Sequence, residues 1–378
     1  MAEETKRFYI LATLLKIVLI SYNLIPIVLC EPEIIPTDSS KLDAWIGQNI
    51  KQFVETKSLD DEKGSTLDDV LATAEAGLKV IIVKKDGSGD FKTVTDAVKS
   101  IPSGNTKRTI IKIGGGEYRE KITIDKSKTF ITFLGDPKGM PKIVFDGTAA
   151  KYGTVDSATV AVESDYFVAI NIAFVNSAPM PDAKRDDQQA VALRISGDKA
   201  AFHNCRFIGY QDTLCDFVGR HLFRDCYVEG TVDFIFGDGQ SLYLNTTIKS
   251  VAKGLSVITA HGREEVSGKS GFAFVHCNII GSGDTYLGRA WKNSPRVIFA
   301  YTYMGEHIND QGWLSGMYQE SNSNQKKVYY GEYKCMGPGA DSTGRAKFSK
   351  TLSDAEAEPF LSMTYLDGNK WVLPPPKV

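Results

Sequence analysis

Two aspartates, Asp212 and Asp233, lie 21 residues apart in segments that read as copies of one another. The first runs Phe202-His-Asn-Cys205-Arg-Phe-Ile-Gly-Tyr-Gln-Asp212, the second Phe223-Arg-Asp-Cys226-Tyr-Val-Glu-Gly-Thr-Val-Asp233. Phe202 and Phe223, Cys205 and Cys226, and Gly209 and Gly230 keep the same offset. A period of about 20 residues built from short β-rich runs predicts a parallel β-helix, whose equivalent positions stack about 4.8 Å apart from coil to coil. The two carboxylates then stand one above the other. Like charges that close cannot both ionise freely, so one pKa rises, and an acid beside a base or nucleophile results.

Other groups fall into the same register. Gln189 precedes Gln211 by 22 residues, about one coil, which sets two carboxamides beside the carboxylates. Their N–H groups could cradle a developing oxyanion. Gln211 and Asp212 are adjacent, and neighbours on a regular strand face opposite ways, so both reach one site only if the chain bends there. Arg289, in Leu287-Gly-Arg-Ala-Trp291, lies 56 residues beyond Asp233, two coils plus about 14 residues that an insertion would absorb. An arginine fork beside Asp233 keeps that carboxylate ionised and oriented. Trp291 offers a flat face for a sugar ring. The plainer readings are turn-capping aspartates, an internal amide ladder, a structural ion pair for Arg289 and a core position for Phe236.

These residues need a scaffold, and the rest of the chain supplies its outline. From residue 109 to about 348, short β-runs alternate with Gly, Asn and Asp turns, as at 109–113, 130–134, 167–174, 191–195, 272–275 and 297–301. None is followed by a convincing helix, which argues against a doubly wound sheet and for an all-β solenoid. The stretch 251–270 breaks the rhythm and reads as an inserted loop. Upstream, Leu42, Trp45, Ile46, Ile50, Phe53 and Val54 carry helical spacing, and a second helical stretch covers about 67–76. The run 80–83 reads as the first strand, ended by Asp86-Gly-Ser-Gly89. Val94, Ala97, Val98 and Ile101 form an amphipathic helix, stopped at Pro102, that would cover the open first coil. Ser353 and Glu356 make a capping box before Phe360, and the tail with Trp371 packs back on the solenoid.

The chain has 378 residues, 24% charged and 42% hydrophobic, which marks it as globular. A net charge of −2 without a long basic run excludes nucleic acid as the expected partner. Lys6 and Arg7 precede an apolar run over 8–30, interrupted by Lys16 and Asn23. Its flanks fit a secretory signal, with an uncleaved anchor as the rival, and either places the rest of the chain in the secretory lumen or outside the cell. The sequon Asn245-Thr-Thr247 is compatible with that route. The expected organisation is therefore a leader at 1–30, a polar and helical segment at 31–78, a solenoid domain at 79–373 and a tail at 374–378.

Beyond Cys30, Cys205, Cys215, Cys226, Cys277 and Cys335 lack the short paired spacings of a zinc site. They read either as buried small apolar residues or, for Cys205–Cys226 or Cys215–Cys226, as a bridge in an oxidising compartment. His203, His221, His261, His276 and His307 show no ligand spacing.

Five motifs in order now carry a resemblance: Gly116-Glu-Tyr-Arg-Glu120, Gln189-Ala-Val-Ala-Leu193, Gly209-Tyr-Gln-Asp-Thr-Leu214, Asp233-Phe-Ile-Phe-Gly237 and Leu287-Gly-Arg-Ala-Trp291. Together with Asp86-Gly-Ser-Gly-Asp-Phe91 they resemble the signatures of plant-type pectin methylesterases, over roughly residues 79–373. The resemblance implies a right-handed, single-stranded parallel β-helix that hydrolyses methyl esters of polygalacturonate at the cell wall. It implies Asp233 as nucleophile, Asp212 as general acid and base, Gln189 and Gln211 as oxyanion donors, and Arg289 as the positioning cation. Phe236 and Trp291 match its aromatic subsite positions. No metal or organic cofactor is required. Methyl-esterified homogalacturonan is the implied partner, a proteinaceous pectinesterase inhibitor is one the resemblance allows, and capped solenoid ends suit a monomer.

Some residues depart from that pattern. Cys215 stands where many members carry an aromatic, Ala290 replaces the commoner proline, and Trp313 lacks its usual flanks, which leaves its place in the groove open. The large inhibitor-like pro-region is missing, which places the chain with the shorter members and removes self-inhibition as an expectation. A serine esterase would want Gly-x-Ser-x-Gly, which does not occur. A lyase or glycosidase on a similar solenoid fits the Asp pair and two glutamines less well. The remaining rivals are an esterase or thioesterase for another acyl substrate and a catalytically silent wall-binding protein.

Overall fold

The computed structural model describes residues 34–47, 49, 67–182, 186–315 and 327–376. The expected leader, and the Ile50, Phe53 and Val54 end of the first expected helix, lie outside the described residues. Every paired strand is parallel to its neighbour, and the 21-residue offset read from the sequence is the pairing register: Phe202 pairs with Phe223, and Leu214 with Ile235. One sheet has 11 strands and the other 14. The larger sheet folds round a corner, because Thr247–His261 pairs at its start with Tyr227–Gly230 and at its end with Ile235–Gly237. Each coil thus presents three faces, as a parallel β-helix requires.

The corner leaving the 11-stranded sheet is made by one left-handed residue per coil: Asn171, Asn204, Asp225, Asn245, His276, Tyr301 and Lys334 all have φ between 48° and 57°. Asn and Asp tolerate that region best among non-glycine residues. Their amides also bond along the stack, Asn204 Nδ2 to Asn171 Oδ1 at 2.8 Å and Asn245 Nδ2 to Asp225 Oδ1 at 2.7 Å. This corner divides the single run expected at 167–174 into Val168–Ile170 and Ala173–Asn176. A strand pattern cannot register a one-residue corner when apolar residues continue on both sides of it.

Inside, the repeat turns into stacked rings. Phe202, Phe223, Tyr243, Phe274 and Phe299 lie face over face with centroids 4.5–4.8 Å apart. Each such pair adds about 0.5–1.5 kcal/mol beyond its buried area. Trp313 belongs to this interior, stacked on Tyr330 at 4.2 Å and fully buried, so it lines the core and not a groove. Its pairing partner is Gly288, where a Cβ would lie 2.2 Å from Thr259 Oγ1 and 3.2 Å from the indole. Cys205, Cys226 and Cys277 are buried and Cys335 half-buried beside the corner, all with Cys215 as free thiols.

The helix Val94–Lys99 buries Val94, Ala97 and Val98 against the first coils, with Thr93 as its N-cap. Residues 42–47 and the helix Asp69–Ala76 pack with the C-terminal segment on the outer face of the 11-stranded sheet. That segment starts with the expected capping box of Ser353 and Glu356, and ties down through Tyr365 to the Gly271 carbonyl at 2.7 Å. The loop expected at 251–270 is instead strand as far as His261, with a register shift between Val251 and Leu255, and only 262–270 leaves the sheet. The polar and glycine residues that broke the sequence pattern sit at the exposed shift, where the strand rounds the corner. Among the described residues no helix is long and apolar enough to cross a membrane.

Candidate active site

The third face, made by Val160–Val162, Leu193–Ile195, Leu214–Asp216, Ile235–Gly237 and the ends of two longer strands, carries the candidate residues. Its register sets Ala161, Arg194, Cys215, Phe236, Ala260 and Arg289 in one row. Asp212 and Asp233 precede this row in neighbouring coils, bracketed by bonds from Asp212 N to the Val232 carbonyl at 3.1 Å and from Leu214 N to the Phe234 carbonyl at 2.9 Å. Both aspartates are left-handed, with φ of 63° and 51°. That is the bend the sequence demanded: it breaks strand alternation where Gln211 meets Asp212.

Arg289 reaches Asp233 as a fork. Its Nε donates to Oδ1 at 2.8 Å and to Oδ2 at 2.9 Å, and its Nη2 also donates to Oδ2. The spacing that looked irregular closes through longer coils, since Phe236 pairs with Ala260 and Ala260 with Arg289, 24 and 29 residues on. Asp212 and Asp233 are 8% and 5% exposed. Burial raises the carboxyl of Asp212 well above the usual range, and the charge of Asp233 pushes it further while Arg289 opposes. Burial also raises Asp233, but its bonds to Arg289 and the guanidinium charge pull it back. Of the two, Asp233 therefore ionises first.

Gln189 and Gln211 are both half-buried. Gln189 and Gln211 come from neighbouring coils, whose strands pair with a 21-residue offset. Ala190 N donates to the Gln211 carbonyl at 3.1 Å, and the side-chain oxygen of Gln189 is buried with no hydrogen-bond partner. Phe236 leaves the main core for a small outer cluster with Ala158, Ala161, Val191, Cys215 and Ala260. Trp291 meets Phe236 edge to face at 6.0 Å, and Lys292 places its ammonium 5.8 Å from the indole. Cys215 fills the floor between Arg194 and Phe236, and burial pushes its thiol well up, leaving it un-ionised.

The sequence reading passed over two residues. Arg194, one coil below Cys215, holds Glu163 at 2.8 Å, and its spacing of 21 to Cys215 was there to be found. Gly262 lies flat against Trp291, and nothing local in the sequence marks that contact. Among the described residues no group of three His, Cys, Asp or Glu is placed to hold a metal ion.

Known proteins share this fold. A family model for pectinesterases matches residues 80–369. Pectinesterase 2 of Olea europaea is 49% identical over 354 residues, covering 93% of this chain and 94% of the relative. The solved pectin methylesterase from carrot superposes with a TM-score of 0.72 at 33% identity, over 77% of this chain and 94% of its own. A pectin methylesterase solved in complex with a hexasaccharide superposes with a TM-score of 0.66 at 29% identity, over 78% and 98%. With most of its length matched by the family model and by a close relative, and with the same parallel β-helix, the chain belongs to the pectinesterase family of carboxylic ester hydrolases.

Proposed function

We propose that this chain removes methyl esters from polygalacturonate, with Asp233 as nucleophile and Asp212 as general acid and base. The observation that carries the reading is a buried carboxylate gripped by the Arg289 fork, next to a second buried carboxyl raised well above its ordinary range. Asp233 attacks the ester carbonyl carbon, and the oxyanion accepts N–H groups from Gln189 and Gln211. The tetrahedral intermediate collapses as the C–O bond to methanol breaks and Asp212 gives its proton to the leaving oxygen. Asp212, now a carboxylate, takes a proton from water that attacks the galacturonyl carbon of the acyl-enzyme, and Asp233 is released.

Trp291, on the Phe236 edge, gives the sugar ring an apolar face. The substrate is methyl-esterified homogalacturonan, in line with a relative solved with a hexasaccharide. A leader followed by a solenoid domain fits secretion to the cell wall, where each turnover adds a carboxylate to pectin and releases methanol. Methanol release from highly methylated pectin tests the reading, with Asp233→Ala and Asp212→Ala alongside. Release by the parent and loss in both folded variants is the expected result. A folded parent that releases none overturns it and shifts the weight to another acyl substrate or to a silent wall-binding role.

A further inference from the structure

The solenoid interior is apolar along most of its length, and one fully buried carboxylate stands out from it. Asp216, two residues past Leu214 on the strand that follows Asp212, is 0% exposed. Room has been made for it. A Cβ on Gly237 would lie 1.8 Å from its carbonyl oxygen, and one on Gly239 2.1 Å from its Oδ1.

Its carboxylate is fully engaged. Oδ1 lies 2.5 Å from His221 Nδ1, and Oδ2 accepts from the Tyr243 hydroxyl at 2.8 Å. His221 Nε2 lies 2.9 Å from the carbonyl of Gly197. A carbonyl oxygen only accepts, so Nε2 carries a hydrogen, and one more proton is shared between Nδ1 and Oδ1. Gly239 N donates to the Asp216 carbonyl at 3.1 Å.

These partners come from three successive coils. Gly197 belongs to the coil that begins with Gln189; Asp216 and His221 belong to the coil of Gln211 and Asp212; Gly239 and Tyr243 belong to the coil of Asp233. The network therefore spans the coils that supply the proposed oxyanion donors, acid and nucleophile. The other inward positions of this row, Val162, Ile195 and Ala290, are apolar apart from the buried His261. The backbone ladder holds these strands at sheet spacing, and the side-chain bonds of Asp216 add a directional tie between the coils that apolar neighbours do not supply.

We infer that Asp216, with His221 and Tyr243, is a positioning network that sets the axial spacing of Gln189, Gln211, Asp212 and Asp233. The inference rests on the function proposed above. None of the three touches substrate; they act through the backbone of the strands that do.

Three variants of the full chain test it, scored by kcat and KM for methanol release and by thermal melting. Tyr243→Phe removes one bond to the coil of Asp233 and keeps the ring between Phe223 and Phe274, where it stacks at 4.5 Å on each side. Asp216→Asn keeps every bond, because the amide N–H can donate to a neutral Nδ1 and the amide oxygen can accept from Tyr243. Asp216→Ala removes them all. Reacting groups lose about 100-fold in rate for a 1 Å misplacement, so a loosened spacing costs Tyr243→Phe about three- to tenfold in kcat, with KM within about twofold. Asp216→Asn keeps at least about half the parent kcat, and Asp216→Ala loses about tenfold or more. Parent kcat in Tyr243→Phe with only a lowered melting temperature shows a network that serves stability alone and overturns the inference. So does a loss in Asp216→Asn equal to that in Asp216→Ala. An active parent with unchanged variants rejects this inference alone, whereas an inactive parent rejects the proposed function and this inference with it.

Discussion

Arg289→Gln tests the electrostatic logic of the site most directly. The guanidinium makes the bidentate contact to Asp233, and it is also the group that opposes the upward push on both buried carboxyls. Breaking a buried ion pair by removing one partner costs about 3–5 kcal/mol. Arg289 keeps 22% of its side chain exposed, so water compensates in part and the lower end, about 3 kcal/mol, applies. That figure bears on stability; for the reaction, loss of one preorganised charge-stabilising group costs about 100-fold or more, so kcat/KM falls roughly 100-fold.

The pH profile carries a sharper signature. The acid limb reports ionisation of Asp233, which must lose its proton to attack, and the alkaline limb reports loss of the proton on Asp212. Without the guanidinium both carboxyls move further up, so both limbs shift to higher pH as the maximum drops. Arg289→Lys, which keeps the charge but not the fork, falls between parent and Gln. Methanol release from pectin of fixed methylation across the pH range, at constant ionic strength, measures all three enzymes. A loss below about fivefold would refute the reasoning, as would limbs that stay in place.

Further outcomes follow from individual contacts. Asp212 has a folded-state pKa above its unfolded value, so its contribution opposes folding as pH rises from the unfolded value through the folded one. Asp212→Asn removes that penalty and abolishes activity, raising the melting temperature at neutral pH with a gain that vanishes near pH 3 by the same linkage; an equal gain at both pH values would contradict it. A Cβ on Gly262 would lie 2.8 and 3.0 Å from ring atoms of Trp291, so Gly262→Ala displaces the indole. Its KM for pectin should rise about three- to tenfold with kcat little changed, the scale of one aromatic contact, and saturation curves on defined oligomers check it. Phe223, fully buried between Phe202 and Tyr243, should cost about 3–5 kcal/mol on replacement by Ala, read from urea midpoints.

What the sequence by itself determined is what repeats. In a parallel β-helix each coil lies on its predecessor, so side chains that must stack recur at the coil length, and Phe202 over Phe223 and Asp212 beside Asp233 are visible as identities 21 residues apart. Fold class and the stacking of the two aspartates were legible for that reason, and family motifs pointed to Arg289 across coils of unequal length. The tertiary structure alone decided what occurs once or depends on direction. The left-handed bend at Asp212 points its side chain out of the strand alternation, and the turn at Asn171 splits one apolar run into two strands. Trp313 points inward, stacked on Tyr330 in the core. Phe236 lies in the outer cluster although its pattern suits a core equally well. The bonds of Asp216 to His221, and through Tyr243 to the next coil, leave no periodic trace, since no other coil carries a copy. Periodicity records contacts between like positions; contacts between unlike residues at one level are fixed only when the coils close.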